Sequence, residues 1–418
     1  MIQDFEFQQR RENLFAKMEP NTIAVLFAGK GKKVSGDEFA FTVNKNFYYL
    51  TGIDQENSVL MLVKAENGNS EYLFIDEKDE KVEKWIGYKL TNQEAKRISG
   101  IENVCLRSTF EGKMITLFDQ KDTHFGEIKK FYLDLEPELK IADAKSTMQY
   151  KQELETVYNV PVEDIGEAIY KLRMIKSPAE VEMIKEAIAT TNQALKKALI
   201  ALKPGMFEYN LRNVFEHTVF DDNNSKLAFP SIVAGGKNAI VLHYPTAGDK
   251  LNEGELVLLD VGASNNFYNA DISRTYPISG KFSDIQKTIY NIVLECNKET
   301  AKFIRAGITL KEVNDFAKNF LAQECFEKGL IHSVDEIGDV YYHSVSHHLG
   351  LDTHDGNDRV SPLEAGNVIT CEPGLYFKDL KIGVRIEDDI LVKEGGSEVL
   401  SAGIIKEIED IEKALENK

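Results

Sequence analysis

The 418-residue chain is poor in several residue types, and each shortage closes off a class of protein. It holds four cysteines, Cys105, Cys296, Cys325 and Cys371, with no Cys-x-x-Cys pair. A disulfide scaffold and a cysteine-built zinc site are thereby excluded, and a reducing compartment, the cytoplasm, is expected. No run approaches the roughly 18 apolar residues of a membrane span. The opening stretch, MIQDFEFQQRRENLF, mixes charge into its apolar positions and lacks the apolar centre of a secretory signal. Positive charge is also scarce, with 50 Lys and Arg against 68 Asp and Glu, a net of −18. Such a surface repels nucleic acid and anionic membrane, so neither is expected as a partner. Short repeats and low-complexity segments are absent as well.

What remains is an ordinary soluble composition, 43% hydrophobic and 28% charged, in a chain long enough to bury a core without staples. At about 150 residues per domain, the length suggests two to three domains. The first 160 residues alternate strand-like and helix-like pieces. TIAVLFAG (22–29), SVLMLVKA (58–65) and EYLFID (71–76) read as strands, with a turn at 66–70. DEKVEKWIGYKL (79–90) reads as a helix carrying the single tryptophan, Trp85. GKGKK (29–33) lacks the spacing of a glycine-rich nucleotide motif and reads as a polar loop. The clearest boundary lies at 160–178. There Ser177 is expected to cap a helix, with Pro178 at its first position and Glu180 at its third, a capping box. Val181, Ile184, Ile188, Leu195 and Leu199 recur at helical spacing up to Lys203-Pro204-Gly205. Two domains are expected, 1–165 and 170–418.

The chemistry-bearing residues lie in the second half. In ELVLLDVGASNNFYNADISRTYPI (255–278) a buried strand reaches the turn signal Asn265-Asn266 and a second strand returns. A two-residue loop there sets Asp260 opposite Asp271 on one sheet face. Two carboxylates that close repel each other unless a cation lies between them. The ordinary alternative is two independently capped aspartates. HSVSHHLGLDTHD (343–355) gathers His343, His347, His348 and His354, either as structural histidines or as a metal or acid–base site. Glu372 ends the strand of VITCEPGLYF. Glu387 shares a face with Arg385 in GVRIEDDILV, where it either pairs with that arginine or joins the other carboxylates. Two Asp, two Glu and a His form an oxygen-rich set. Such a set disfavours a structural zinc site and suits a hydrolytic pair of divalent ions.

These segments resemble the pita-bread metallopeptidases, the family of aminopeptidase P, prolidase and methionine aminopeptidase. LLDVGASNNFYNADISRTYP is similar to the family's two-aspartate hairpin, SHHLGLDTHD to its histidine segment, and ITCEPGLY and GVRIEDDILV to its two glutamate segments, in the family's order. NKNFYYLTGIDQENSVLMLV (44–63) and EKWIGYKL (83–90) resemble the amino-terminal domain of aminopeptidase P. The resemblance implies an α/β (α+β) chain, a small N-terminal α/β domain followed by a pita-bread catalytic domain with a curved antiparallel sheet. It implies two divalent metal ions, Mn(II) ahead of Co, Fe or Zn, held by Asp260, Asp271, His347, Glu372 and Glu387. It makes Glu372 the proton shuttle as well, and places His243, His343 and His354 around the substrate. Arg385 and Tyr376 stand behind the ligands, and His348 falls at a variable position. His343-Ser344 in place of His-Gly, and GNDRVSP after Asp355, depart from the family pattern beside the substrate pocket. The implied activity is hydrolysis between a free N-terminal residue and a following proline in peptides. It would be carried by a cytoplasmic homo-oligomer, a dimer or tetramer. Prolidase, which takes Xaa-Pro dipeptides, is the nearest alternative. A non-catalytic binding module is disfavoured because all five ligand positions are filled.

Overall fold

The computed structural model describes residues 2–416, apart from 32, 35–36, 39, 119–125, 137–138, 143–144, 222–224 and 357. The chain forms two compact units, Met1–Arg173 and Met174–Lys418. The helix Gly166–Met174 thus belongs to the first unit as far as Arg173, beyond the position expected to close it.

The first unit is built on a mixed six-stranded sheet. Its strands are β1 (Thr22–Phe27), β2 (Val59–Ala65), β3 (Gly68–Ile75), β4 (Asn103–Leu106), β5 (Lys130–Leu133) and β6 (Val162–Asp164), in the order β6-β5-β1-β2-β3-β4. β1 reads TIAVLF and is buried at every position. It pairs antiparallel with β2 and parallel with β5, which makes it a central strand covered on both faces. Val25, Phe27, Met61, Phe74, Phe110 and Phe131 join one apolar cluster against it. β3 starts at Gly68, so the expected turn 66–70 contracts to Glu66-Asn67. The helix expected over 79–90 spans Glu80–Ile86 instead. Asp79 caps it by accepting from the Lys81 N–H, and Gly87, at φ 86°, halts it. Gly29–Gly31 form irregular chain after β1, while Lys32 of the GKGKK segment lies outside the described residues.

The second unit opens with α1 (Pro178–Ala201). The expected capping box is formed: the Glu180 N–H donates to Ser177 Oγ at 3.2 Å, and the Ser177 N–H donates to Glu180 Oε2 at 2.9 Å. α2 (Glu208–Phe220) follows. Then come short strands, β7 (Ile232–Gly235), β8 (Leu256–Val261), β9 (Ala263–Asn265), β10 (Tyr268–Asn269) and β11 (Ile272–Pro277). After the helices α3 (Asp284–Phe303) and α4 (Leu310–Glu327) come β12 (Val368–Cys371), β13 (Gly374–Phe377), β14 (Ile382–Arg385), β15 (Asp388–Lys393) and β16 (Gly396–Val399). Every ladder among the described residues of this unit is antiparallel: β7-β8-β11, β9-β10 with the short strand Ser225–Leu227 on the other side of β9, β12-β15-β16 and β13-β14. Helices cover this sheet in the pita-bread arrangement. The Ala263 N–H donates to Thr191 Oγ1 at 2.9 Å and Tyr268 Oη donates to Glu180 Oε1 at 2.8 Å, which docks the hairpin on α1. No helix among the described residues is long and apolar enough to cross a membrane.

Candidate metal centre

The hairpin that carries the two aspartates turns at Asn266-Phe267, one residue later than the Asn265-Asn266 signal suggested. Both residues take positive φ, 47° and 69°, as a two-residue hairpin turn of the primed kind requires. Asn265 pairs with Tyr268, and Asp260 stands opposite Ser273 rather than Asp271. The register has moved by two. Side chains alternate with a period of two, so Asp260 and Asp271 keep a common face and stand diagonal to each other. Gly262 falls between them for a steric reason: a Cβ there would lie 1.9 Å from the Ala270 carbonyl oxygen.

Ser273 is the residue that sequence reasoning missed. Its hydroxyl accepts from Arg385 Nε at 2.8 Å and donates to Glu387 Oε2 at 2.7 Å. Its place two residues after Asp271, on the same strand face, was the available signal. Arg385 does not pair with Glu387. Its Nη2 donates to Asp260 Oδ2 at 2.6 Å and its Nη1 donates to Tyr376 Oη at 3.0 Å. The Asp260 Oδ1 atom is buried and has no hydrogen-bond partner among the described residues.

The histidines divide by what their ring nitrogens meet. His347 Nδ1 lies 3.1 Å from the His348 carbonyl oxygen, which can only accept, so Nδ1 carries the proton. Nε2 is left with its lone pair, 3.5 Å from Asp271 Oδ2 and 3.7 Å from Glu372 Oε1. That is the tautomer a metal ligand needs. His343 is engaged at both nitrogens: Nδ1 donates to the Ser344 carbonyl at 2.9 Å and Nε2 accepts from Tyr376 Oη at 2.8 Å. Burial, then the charge of Arg385, pushes His343 down to about 4, so it is neutral at pH 7. His354 is exposed and stacks edge-on against His347, with ring centroids 4.2 Å apart. The protein packed against one side of its ring strips water from it, and this, then His347, lowers its pKa. His348 turns away into the protein, where neither ring nitrogen has a partner among the described residues. It sits by a buried ion pair, Lys176 Nζ to Asp355 Oδ2 at 3.0 Å, with both side chains 1% exposed. Gly350 gives that pair its room, because a Cβ there would stand 2.1 Å from Asp355 Oδ2.

Asp271, His347 and Glu387 each bring a ligand atom within 4.8 Å of the others. Asp260 and Glu372 lie outside that triad but adjoin it, Asp260 through the Arg385–Ser273 bridge and Glu372 through His347. The carboxylates crowd one another. Burial first, then Asp260, raises Asp271 well above the usual carboxylate range. Burial and Asp271 do the same to Glu387, and burial lifts Glu372 to about 7. Two buried carboxylates, Asp271 and Glu387, and two half-buried ones, Asp260 and Glu372, against one guanidinium leave negative charge that divalent cations neutralise. The orphaned Asp260 oxygen, the free Nε2 of His347 and the oxygen-rich donor set all fit such ions. A cavity of about 430 Å³ opens at this point, lined by Asp260, Asp271, His243, Tyr244, Phe229 and His354.

Known proteins share this plan. Residues 182–394 match metallopeptidase family M24 and residues 7–125 match the aminopeptidase P N-terminal domain. The Xaa-Pro aminopeptidase of Escherichia coli (strain K12) is 31% identical over 97% of this chain and 96% of its own length. A Bacillus anthracis structure, provisionally termed an aminopeptidase P, superposes with a TM-score of 0.95 at 42% identity, covering 100% of this chain and 99% of that one. Zinc-substituted E. coli aminopeptidase P in complex with product superposes at 0.89 and 30% identity over 100% and 99%. The chain belongs to metallopeptidase family M24, in its aminopeptidase P branch, and is a metallo-aminopeptidase that uses divalent metal ions on peptide substrates.

Proposed function

We propose that this protein is an Xaa-Pro aminopeptidase that removes the N-terminal residue from peptides with proline second. The observation that carries this reading is the triad Asp271, His347 and Glu387, with Glu372 beside His347 and a cavity lined by Asp260, Asp271, His243 and His354. These five residues would hold two divalent ions, Mn(II) by preference, since carboxylate oxygens and one imidazole suit it. When bound, such a pair lowers the pKa of a water and polarises the scissile carbonyl.

The chain's own residues do the rest. Glu372, beside His347 Nε2, would take a proton from that water. It hands that proton to the leaving proline nitrogen. His354 and His243 donate N–H groups from the cavity wall to the oxygen that gains charge at the attacked carbon. His343, spent at both nitrogens, contributes shape to the proline pocket and orients Tyr376. Tyr376 and Ser273 hold Arg385, and Arg385 holds Asp260. The substrate's free amine lies at the Asp260 end of the site. The catalytic domain runs from the Ser177 cap onward, beyond an N-terminal domain of about 165–173 residues. Four free cysteines, three of them buried, support a cytoplasmic enzyme. A dimer or tetramer is the proposed assembly.

The test is Mn(II)-loaded protein given an Xaa-Pro-Yaa tripeptide and an Xaa-Pro dipeptide side by side. Turnover of the tripeptide is expected. Turnover of the dipeptide alone moves the assignment to prolidase, and silence on both with metal bound makes the fold a binding module.

A further inference from the structure

The cavity wall includes a segment that no strand ladder secures. Between β7 and β8 the chain makes a short 3-10 turn over Gly236–Ile240 and then runs without regular structure to Leu251. His243 and Tyr244, both on the cavity, lie in this loop. Its anchor is Glu208, the first residue of α2, whose side chain is fully buried. Glu208 Oε1 accepts from the Gly235 N–H at 2.7 Å and from Asn238 Nδ2 at 2.9 Å, where the loop begins. Oε2 accepts from Tyr244 Oη at 3.0 Å, in the middle, and from the Asp249 N–H at 2.8 Å, at the end. The Glu208 N–H in turn donates to the Asp249 carbonyl at 2.9 Å. Three points of one loop thus converge on a single carboxylate.

We propose that Glu208 is a positioning residue for the substrate, because its four accepted hydrogen bonds hold the loop that carries His243 and Tyr244 against the cavity. A charged acceptor is required here. Four donors face two oxygens, and only an ionised carboxylate accepts at every one of these positions. The start of a helix also favours negative charge at that place. Glutamine would turn its NH₂ group toward two of the donors and lose at least one bond, since of the four only the Tyr244 hydroxyl can also accept. The Tyr244 hydroxyl is committed to Glu208, so the residue serves the cavity through its ring and not as an acid.

The inference rests on the reading of this cavity as a peptide site, and the test separates the two. Wild-type, Glu208→Gln and Tyr244→Phe proteins are loaded with Mn(II) and compared on an Xaa-Pro-Yaa tripeptide. Binding of a Pro-Leu dipeptide is measured by calorimetry, together with metal content and unfolding temperature. Glu208→Gln is expected to raise KM and weaken dipeptide binding about tenfold or more, with kcat lowered as His243 loses its place and metal content near wild type. Tyr244→Phe removes one bond of the four and keeps the fold, so it carries the same readout with a rise of about threefold if Glu208→Gln does not fold. Unchanged KM and dipeptide affinity in folded variants overturn the inference alone. A wild-type protein with no tripeptide turnover overturns the functional reading and the inference with it.

Discussion

Two six-residue strands, one in each unit, are buried along their whole length. Thr22–Phe27 in the first unit is TIAVLF; Ile272–Pro277 in the second is ISRTYP. The first is buried because it is apolar, and each residue withdrawn from water contributes to stability with little regard to direction. The second carries Ser273, Arg274 and Thr275 at 0% exposure. Its burial depends on partners in fixed directions. Arg274 Nη2 donates to Asp388 Oδ1 at 2.9 Å, and its other donors reach the carbonyls of Glu387, Ile404 and Ile405. Asp388 also accepts from Ser401 and Lys406, and the two cations with their hydrogen bonds bring it down to about 2 against the penalty of burial. The contrast separates two ways of filling an interior. An apolar core tolerates change in proportion to volume, whereas a polar core fails when one partner is removed and its mate is stranded.

The sharpest way to probe the polar interior is at the reacting centre. Glu372→Gln keeps the volume and removes the group that exchanges a proton. The kcat of protein loaded to wild-type metal content is expected to fall on the order of 10²–10⁴-fold. Turnover near wild type at that loading would end the proton role assigned to Glu372.

A matched pair of substitutions compares the two interiors directly. Lys176→Met strands Asp355 and is expected to cost about 3–5 kcal/mol, whereas Lys176→Met with Asp355→Leu recovers most of the loss. Phe131→Ala in the first unit should cost about 3–5 kcal/mol through the cavity it leaves, and no single second polar substitution repairs it. Chemical denaturation of the four proteins reads both effects. If the double variant is as unstable as Lys176→Met, the directional account of the second unit fails.

The smallest effect concerns pH. In chelated protein Asp271, Glu372 and Glu387 have folded pKa values raised above their unfolded values of about 4. A group whose folded pKa is the higher one binds more protons when folded. Its penalty is therefore relieved as the pH falls through the folded pKa, about 7 for Glu372. Asp388 has the opposite sign. Its stabilisation is present above about pH 4 and is lost only below it. His343, His348 and His354, whose folded pKa values are lowered, act the other way as the pH falls through about 6.5, so the Tm of chelated wild type should rise relative to that of chelated Glu372→Gln between about pH 7.5 and 5.5. A wild-type Tm that does not gain on the variant across this range would show that burial does not burden Glu372.

The same contrast explains what the sequence made legible. Apolar strands and the Ser177 capping box are local patterns, and both appeared where expected. The metal-type residues were legible as chemistry, because Asp inside an apolar strand needs a reason. The hairpin register was not, since Asn265-Asn266 is a better turn signal than Asn266-Phe267 and only the φ angles distinguish them. Helix length at 79–90 depended on Gly87 stopping the chain. Lys176 with Asp355, and Glu208 with Asn238 and Asp249, join residues 30 to 179 positions apart. No period or spacing encodes such meetings. They exist only once the fold has brought the donors together.

Arg385 carries a consequence of its own. Its planar fork fixes three bond directions at once, toward Asp260, Ser273 and Tyr376. Lysine has a single charged point and cannot reproduce that geometry. Because Ser273 continues to Glu387 and Tyr376 to His343, the orientation of four functional side chains is settled when the chain folds. The entropy of arranging them is spent before an ion arrives. Metal uptake then resembles docking into a mould whose walls are already set.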